Sequence, residues 1–420
     1  MTSAPAPSLL HRRHALVLAA AWLVLAALWL LPEPGGWRAP HRGWETALVS
    51  GVVDKRAEVT ARRAPFAPYS SWQGTATGDL SYMFDMPGAN RPRAQSFHTD
   101  EYGFRNPVGT AATQREVVVV GNSFAVGSSV GDDDNLTGRL RSLGVKATNA
   151  GGLGLQDFLQ DPRWQEDPPA WVVHYVDESS MQPVLLREDQ PALDLPSFDS
   201  RADYERWIRA AVAAAPAEVA PAAALARPSW LTWLPSAAAQ QRCKAQLAAR
   251  KTLLEALFSY AVPRLTHAVG LPGFFDPKVL RVDAETGQLF YLPMAARYLD
   301  PDALQRTVRD VDVLAATFAQ AAQLLQRRGT RLIVLICPNK ELVYPDLVPA
   351  LAGVDTGAVL EKLDQRLDAL GVPHVDAWDI CRRARQEQPD APLFFPDDTH
   401  PTPRLQGLLA RDVARIVRGS

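Results

Sequence analysis

The chain predicts an α/β fold: a three-layer α/β/α sandwich built on a parallel sheet. Three observations carry this expectation. The run Val117-Val118-Val119-Val120 is wholly β-branched, as befits a strand buried on both faces. Apolar runs of the same kind recur at Trp171–Val176 and Arg331–Ile336, with helically spaced leucines in other stretches. Strands that alternate with helices pack as a parallel sheet covered by helical layers.

At the N-terminus, Arg12, Arg13 and His14 precede an unbroken apolar run, Ala15–Leu31, at the short end for a membrane span. A signal peptide is the rival reading, since a basic lead and an apolar core serve both. The run is long for a signal core and ends in Leu-Pro-Glu-Pro without a small-x-small cleavage site, which favours an uncleaved anchor. Arginines before the span place the remainder outside the cytoplasm. Residues 1–34 are thus expected to form a cytoplasmic tip and transmembrane helix. Residues 35–97, rich in Pro, Gly, Arg and Trp, are expected to be a stalk, with one helix near Trp44–Ala61.

The α/β unit begins at about residue 98. After Val117–Val120 come Leu136, Leu140 and Leu143 at helical spacing, with Gly144 as a stop. Val145–Thr148 and Trp171–Val176 are the next strands. Residues 185–311 break the rhythm with Ala-rich helices, a Pro/Ala segment at Pro216–Pro228 and a hairpin signal around Glu285-Thr286-Gly287. They are expected to form an inserted helical subdomain between the halves 98–184 and 312–420. The second half continues with a helical stripe (Leu314, Phe318, Ala322, Leu325) and the strand Arg331–Ile336. Another helix (Leu360, Leu363, Leu367, Leu370) and the short strand His374-Val375 follow. Thr402 caps and Pro403 opens a last helix.

Composition narrows the function classes. With 420 residues, 47% apolar, the chain can bury one large core or two modest ones, and a net charge of -2 gives no footprint for nucleic acid. Cys243, Cys337 and Cys381 are far apart and form no Cys/His cluster, so a zinc site is not expected; Cys337 reads as a buried thiol.

Chemistry concentrates at two places. Ser123 lies in Gly121-Asn122-Ser123-Phe124, just past a strand, at the sheet edge where open α/β folds present reactive side chains. Its first backbone N–H groups favour developing negative charge. At the other end, Asp397-Asp398-Thr399-His400-Pro401 precedes the last helix. Either carboxylate can reach the imidazole Nδ1–H while Nε2 faces the serine, supplying nucleophile, base and orienter for acyl transfer.

These two segments resemble the first and last motif blocks of the SGNH (GDSL-like) hydrolase superfamily, over roughly residues 98–180 and 312–418. Tyr102-Gly103-Phe104-Arg105 is similar to the lead-in of membrane-anchored members, with Asp100 in place of an Asn. Asn149-Ala150-Gly151-Gly152-Leu153-Gly154 resembles the second block. The resemblance implies a flavodoxin-like sheet, an oxyanion hole built from the Ser123 and Gly154 N–H groups, and no metal or organic cofactor.

Two departures stand out. Asn122 replaces the usual Asp beside the nucleophile, and the third block's Gly-x-Asn-Asp is absent, with Asp177-Glu178-Ser179-Ser180 following the strand. Losing one oxyanion donor costs about 3–4 kcal/mol of transition-state stabilisation. Similar strand ends occur in proteins that resemble alginate and exopolysaccharide O-acetyltransferases, and Pro338-Asn339-Lys340 with Val343-Tyr344 looks like a segment of those proteins. That subgroup's Asp-x-His would select Asp398; the chain order of the wider superfamily favours Asp397, and both stay open. Lys340 and Tyr344 read as surface loop residues, and His174 as a packed histidine. Trp164, Trp171, Trp230 and Trp233 read as packing residues.

The resulting expectation is a single-pass inner-membrane protein of bacterial type with its catalytic domain in the periplasm. It would move or remove acyl groups on a cell-envelope or exported polysaccharide through a Ser123 acyl-enzyme. An acyl donor would be its partner, with a membrane acyl-donor protein as one source. A lipid esterase or phospholipase, and a non-catalytic polysaccharide-binding or scaffold module, are the alternatives.

Overall fold

The computed structural model describes residues 66–83, 89, 91–113, 115–165, 167–189, 192, 197–214, 280–283 and 285–419. The expected anchor, the helix near Trp44–Ala61, the Pro216–Pro228 segment, Trp230, Trp233 and Cys243 lie outside these residues. Among the described residues, no helix is long and apolar enough to cross a membrane.

In chain order, strand β1 (Ser71–Ala76), helix α1 (Asp79–Met83) and strand β2 (Arg93–His98) come first. Strand β3 (Val117–Gly121) leads into the short helix α2 (Ser123–Val126), followed by α3 (Leu136–Ser142), β4 (Ala147–Gly151), α4 (Leu155–Gln160) and β5 (Trp171–Asp177). Helix α5 (Arg201–Ala214) and strands β6 (Leu280–Val282) and β7 (Leu289–Tyr291) precede the long α6 (Pro301–Arg327). The chain finishes with β8 (Arg331–Cys337), α7 (Lys340–Val343), α8 (Ala358–Ala369), β9 (His374–Val375), α9 (Ala377–Glu387) and α10 (Pro403–Val417).

The central sheet has five parallel strands in the order β4-β3-β5-β8-β9. Numbered by their occurrence in this sheet, that order is 2-1-3-4-5, which reverses direction beside β3 and leaves a crevice at its C-terminal end. All five residues of β3 are buried, as the valine run requires. Helices α3 and α10 pack together, as do α6 and α8, and the buried side chains of both pairs join the sheet residues in one continuous core. Asp300 caps α6 by accepting from the Asp302 and Ala303 N–H groups.

Several boundaries differ from expectation. The second strand runs Ala147–Gly151 rather than Val145–Thr148, so Asn149, Ala150 and Gly151 of the second block lie within the sheet. Helix α6 runs through residue 311, so the boundary expected there falls inside an element. The hairpin expected around Glu285-Thr286-Gly287 is β6–β7, paired antiparallel. Thr402 sits at the N-cap of α10, but its hydroxyl donates to the Pro392 and Leu393 carbonyls instead of capping the helix. Ser71–Ala76 and Arg93–His98, in the C-terminal part of the expected stalk and at its end, form the antiparallel pair β1–β2. Gly78, Leu80, Ser81 and Arg91 bond through their N–H groups to Asp397 in the loop before α10.

Candidate active site

Gly121 ends β3 with φ +140, and a Cβ there would lie 1.8 Å from the Tyr175 carbonyl oxygen on the neighbouring strand. Only glycine lets the chain turn so close to β5. Asn122 then caps α2, its side-chain oxygen accepting from the Phe124 N–H, and Ser123 becomes the first helical residue. The turns after β3 and β4 are stitched together. Gly121 N–H donates to the Leu153 carbonyl at 2.8 Å, and Gly152 N–H to the Gly121 carbonyl at 2.6 Å.

Two other motif residues hold α2 from behind. Asn149 donates from Nδ2 to the Ala125 carbonyl at 2.8 Å and accepts from the Gly151 N–H at 2.8 Å. Buried Arg105 spreads its guanidinium over the loop that follows α2, reaching the Val130 carbonyl at 2.6 Å, the Gly127 carbonyl and Asp132. Asp100, standing where the lead-in usually has Asn, accepts from the Tyr102 and Phe104 N–H groups and from Asn106. Burial pushes its carboxyl up to about 6.

The structure brings Ser123, His400 and Asp398 into one chain of hydrogen bonds. His400 Nε2 lies 2.8 Å from Ser123 Oγ, and His400 Nδ1 lies 2.7 Å from Asp398 Oδ1. Asp398 has no side-chain donor when ionised, so the imidazole carries its proton on Nδ1 and offers Nε2 to the serine hydroxyl. The Phe124 ring packs 5.0 Å from the imidazole centroid and helps hold its plane.

Of the two carboxylates left open by the sequence, Asp398 is the one that lies against the imidazole. Asp398 faces His400, whose backbone N–H also donates to Oδ1 at 3.1 Å, while Oδ2 accepts from Ser129 Oγ at 2.6 Å and from Arg93. Asp397 points the other way. Its Oδ2 takes the Gly78 and Arg91 N–H groups at 2.8 and 2.9 Å, and its Oδ1 takes Arg93 Nη1 at 3.0 Å. Both carboxylates have no solvent exposure, and Arg93 bridges them while lying 3.9 Å over the Phe395 ring. One partly buried cation between two buried anions offsets part of their desolvation.

Asp79 adds a further carboxylate near the imidazole, 3.5 Å from His400 Nδ1, and accepts from the Thr399 N–H and hydroxyl. Among the described residues, Asp79, Asp398 and His400 are the one group whose donor atoms are close enough to hold a cation. Hydrogen bonds to each other, Thr399, Ser129 and Arg93 account for their arrangement.

The oxyanion side differs from expectation. Gly154 N–H is engaged by the Asp157 carboxylate at 2.9 Å, a capping contact at the start of α4, so that donor is already taken. The Asn122 amide donates to Asp177 and to Ser180 Oγ, and Ser180 in turn donates to Asp177. Within the residues replacing the third block, Asp177 thus gathers Asn122, Ser179 and Ser180. Beside them opens a cavity of about 390 Å³, bordered by Asn122, Gly154, His174, Ser180 and Leu185. His174 packs against Phe318, and burial lowers its imidazole to about 4.

Lys340 and Tyr344, expected on the surface, are buried. The Tyr344 hydroxyl accepts from the Leu393 N–H, and Lys340 Nζ meets carbonyls of the 395–398 loop. Trp164 and Trp171 belong to the main core, and Cys337 and Cys381 are buried thiols. Sequence reasoning missed Gly78, Asp79, Arg93 and Ser129. Only Ser129 carried a faint signal, lying six residues past Ser123, just beyond α2.

Residues 302–420 match the family model described as SGNH hydrolase-like domain, acetyltransferase AlgX. No curated protein and no solved structure matches the chain. The matched segment covers less than half of the sequence and carries Lys340, Asp397, Asp398 and His400; Ser123 and Arg93 lie outside it. Residues 302–420 are thus similar to the SGNH hydrolase-like domain of acetyltransferase AlgX.

Proposed function

We propose that this protein is a serine-dependent acyl-ester enzyme, an O-acetyltransferase or acetylesterase acting on a cell-envelope or exported polysaccharide. The observation that carries the reading is the Ser123–His400–Asp398 chain, with contacts of 2.8 and 2.7 Å. Ser123 Oγ attacks the ester carbonyl as His400 Nε2 takes its proton, and Asp398 stabilises the imidazolium that forms. Collapse of the tetrahedral species expels the alkoxide, which His400 protonates, and leaves the acyl group on Ser123. A sugar hydroxyl or water then gives its proton to His400 and takes the acyl group, restoring the serine.

The Ser123 N–H supports the oxyanion, and the Gly154 N–H joins it only when Asp157 lets go. The apolar run at Ala15–Leu31 supports a membrane tether with the enzyme in the periplasm, close to exported polymer and to a membrane acyl donor.

The full-length protein incubated with an aryl acetate, with and without a deacetylated acidic polysaccharide, tests the reading. Aryl release that depends on Ser123, with acetate found on the sugar or in solution, supports it. Unchanged release in Ser123→Ala contradicts it.

One observation favours a second reading, a non-catalytic polysaccharide-binding module: the Gly154 N–H, one of the two expected oxyanion donors, is already committed to Asp157. Polysaccharide binding without any Ser123-dependent ester cleavage is the outcome that selects it.

A further inference from the structure

Lys340 is 1% exposed, and it opens α7 directly beyond β8. Its Nζ lies 2.8 Å from each of three carbonyl oxygens, those of Leu289, Phe395 and Pro396, with the Asp398 carbonyl at 3.5 Å. An ammonium has three N–H donors and no acceptor, so three inward-facing carbonyls fill it. Two of those carbonyls belong to the turn that presents Asp398 and His400. The third belongs to the hairpin strand β7.

The same turn is fastened to the hairpin a second time, by Leu289 N–H donating to the Pro396 carbonyl at 2.8 Å. Glu341, the next residue, is also buried and accepts the Tyr291 N–H at 2.7 Å. Two consecutive residues of α7 thus hold opposite backbone polarities of one short strand. Within the turn, Phe395 N–H donates to the His400 carbonyl and Asp398 N–H to the Phe395 carbonyl. Any shift of Phe395 and Pro396 is transmitted to both side chains of the pair.

An apolar residue would fill this space but leave the Phe395 and Leu289 carbonyls turned toward it without their cation, which buried carbonyls rarely tolerate. Burial pulls the Lys340 ammonium down to about 8, with Glu341, Asp398, Asp79 and Asp397 opposing that loss of charge.

We propose that Lys340 is a positioning residue for the Asp398–His400 pair, locking the 395–400 turn onto the β6–β7 hairpin through the three-carbonyl cradle. The proposal rests on the reading of Ser123, His400 and Asp398 as a triad. On this view the hairpin end of the expected insertion braces the loop that carries the base.

The test compares full-length wild type with Lys340→Met, which keeps the apolar stem and loses every donor. Folding is followed by thermal unfolding. The low-field Nδ1–H resonance of His400, assigned by its loss in His400→Gln, reports the contact with Asp398 independently of turnover. Reaction of Ser123 with an aryl fluorophosphonate reports the serine. In folded Lys340→Met, the resonance should move or vanish and labelling should slow at least tenfold, while Lys340→Arg should recover part of both. A folded Lys340→Met with the wild-type resonance and labelling rate overturns the proposal. If that variant does not fold, Lys340→Gln, which keeps two donors, is judged by the same two readouts. Wild type that shows the resonance but reacts with neither fluorophosphonate nor ester defeats the enzymatic reading alone, and the resonance comparison still decides the role of Lys340.

Discussion

Asp398 and His400 are two residues apart, and the Asp398 Oδ1 lies 2.7 Å from the His400 Nδ1 while the backbone N–H of His400 returns to the same oxygen at 3.1 Å. This closed local loop makes the pair a unit, and it separates the work of the two adjacent aspartates. Asp398→Asn should lower kcat/KM about 10⁴-fold, because an amide can hold the wrong imidazole tautomer. Asp397→Asn should instead cost about 1–3 kcal/mol of stability in urea unfolding, by weakening a charge-assisted bond to Arg93 and two backbone N–H contacts. A reversed pattern, with Asp397→Asn inactive and Asp398→Asn active, would assign the orienter to the other residue.

Ser129→Ala removes a hydroxyl donor from Asp398 Oδ2 and leaves the Arg93 contact in place. A loss of about 1.5–3 kcal/mol in transition-state stabilisation, roughly ten- to a hundredfold or somewhat more in kcat/KM, is expected for one hydrogen bond to a charged group. Steady-state kinetics with an aryl acetate measure it, and an unchanged value would show that Ser129 does not tune the carboxylate.

Gly78 meets the Asp397 backbone so closely that a Cβ would sit 1.9 Å from the Asp397 carbonyl oxygen. Gly78→Ala must push the loop away, at a cost of about 1–3 kcal/mol by analogy with overpacked cores. The midpoint of thermal unfolding should fall, and activity should fall further than stability explains. An unaltered midpoint would mean that Gly78 is not docked on Asp397.

Glu178 is fully buried at the end of β5, and burial raises its carboxyl from the ordinary 4.5 to about 7, with the Tyr298 hydroxyl and Arg297 pulling the other way. In that window the folded protein keeps a proton that the unfolded chain has released. The stability this contributes is complete below pH 4.5 and is lost as pH rises through about 7. Urea unfolding of wild type and Glu178→Gln should therefore converge or cross as pH rises from 4.5 to 7, with wild type losing ground to the variant. A difference that is flat across this range, or of opposite slope, would show that Glu178 is not held protonated.

Much of the α/β unit was legible because its signals are local. The valine run became β3, and Gly144 and Gly371 follow the ends of their helices with positive φ. That Ser123 and His400 stand at element ends was readable because a strand–Gly turn and a Thr-Pro helix start are local features too. The rest depended on contacts far apart in sequence. Strand β1 has exposed or half-exposed residues throughout before its one buried position at Ala76, so no apolar alternation announced it. Gly78 and Arg93 reach Asp397 and Asp398 across some three hundred positions. Near His400, the Asp-x-His spacing and the chain order pointed to different aspartates; in space, the Gly78 and Arg91 N–H groups take Asp397 and leave Asp398 against the imidazole. The commitment of Gly154 to Asp157 was missed although Asp157 stands three residues on, at the spacing a helix-start contact uses.

The most direct measurement is covalent. Full-length protein mixed with an aryl acetate and quenched in acid should carry one acetyl group on the peptide containing Ser123, located by tandem mass spectrometry. That label should be absent in Ser123→Ala and strongly reduced in His400→Ala. An acetyl group found on another residue, or ester turnover that persists in Ser123→Ala, would contradict the Ser123–His400–Asp398 account.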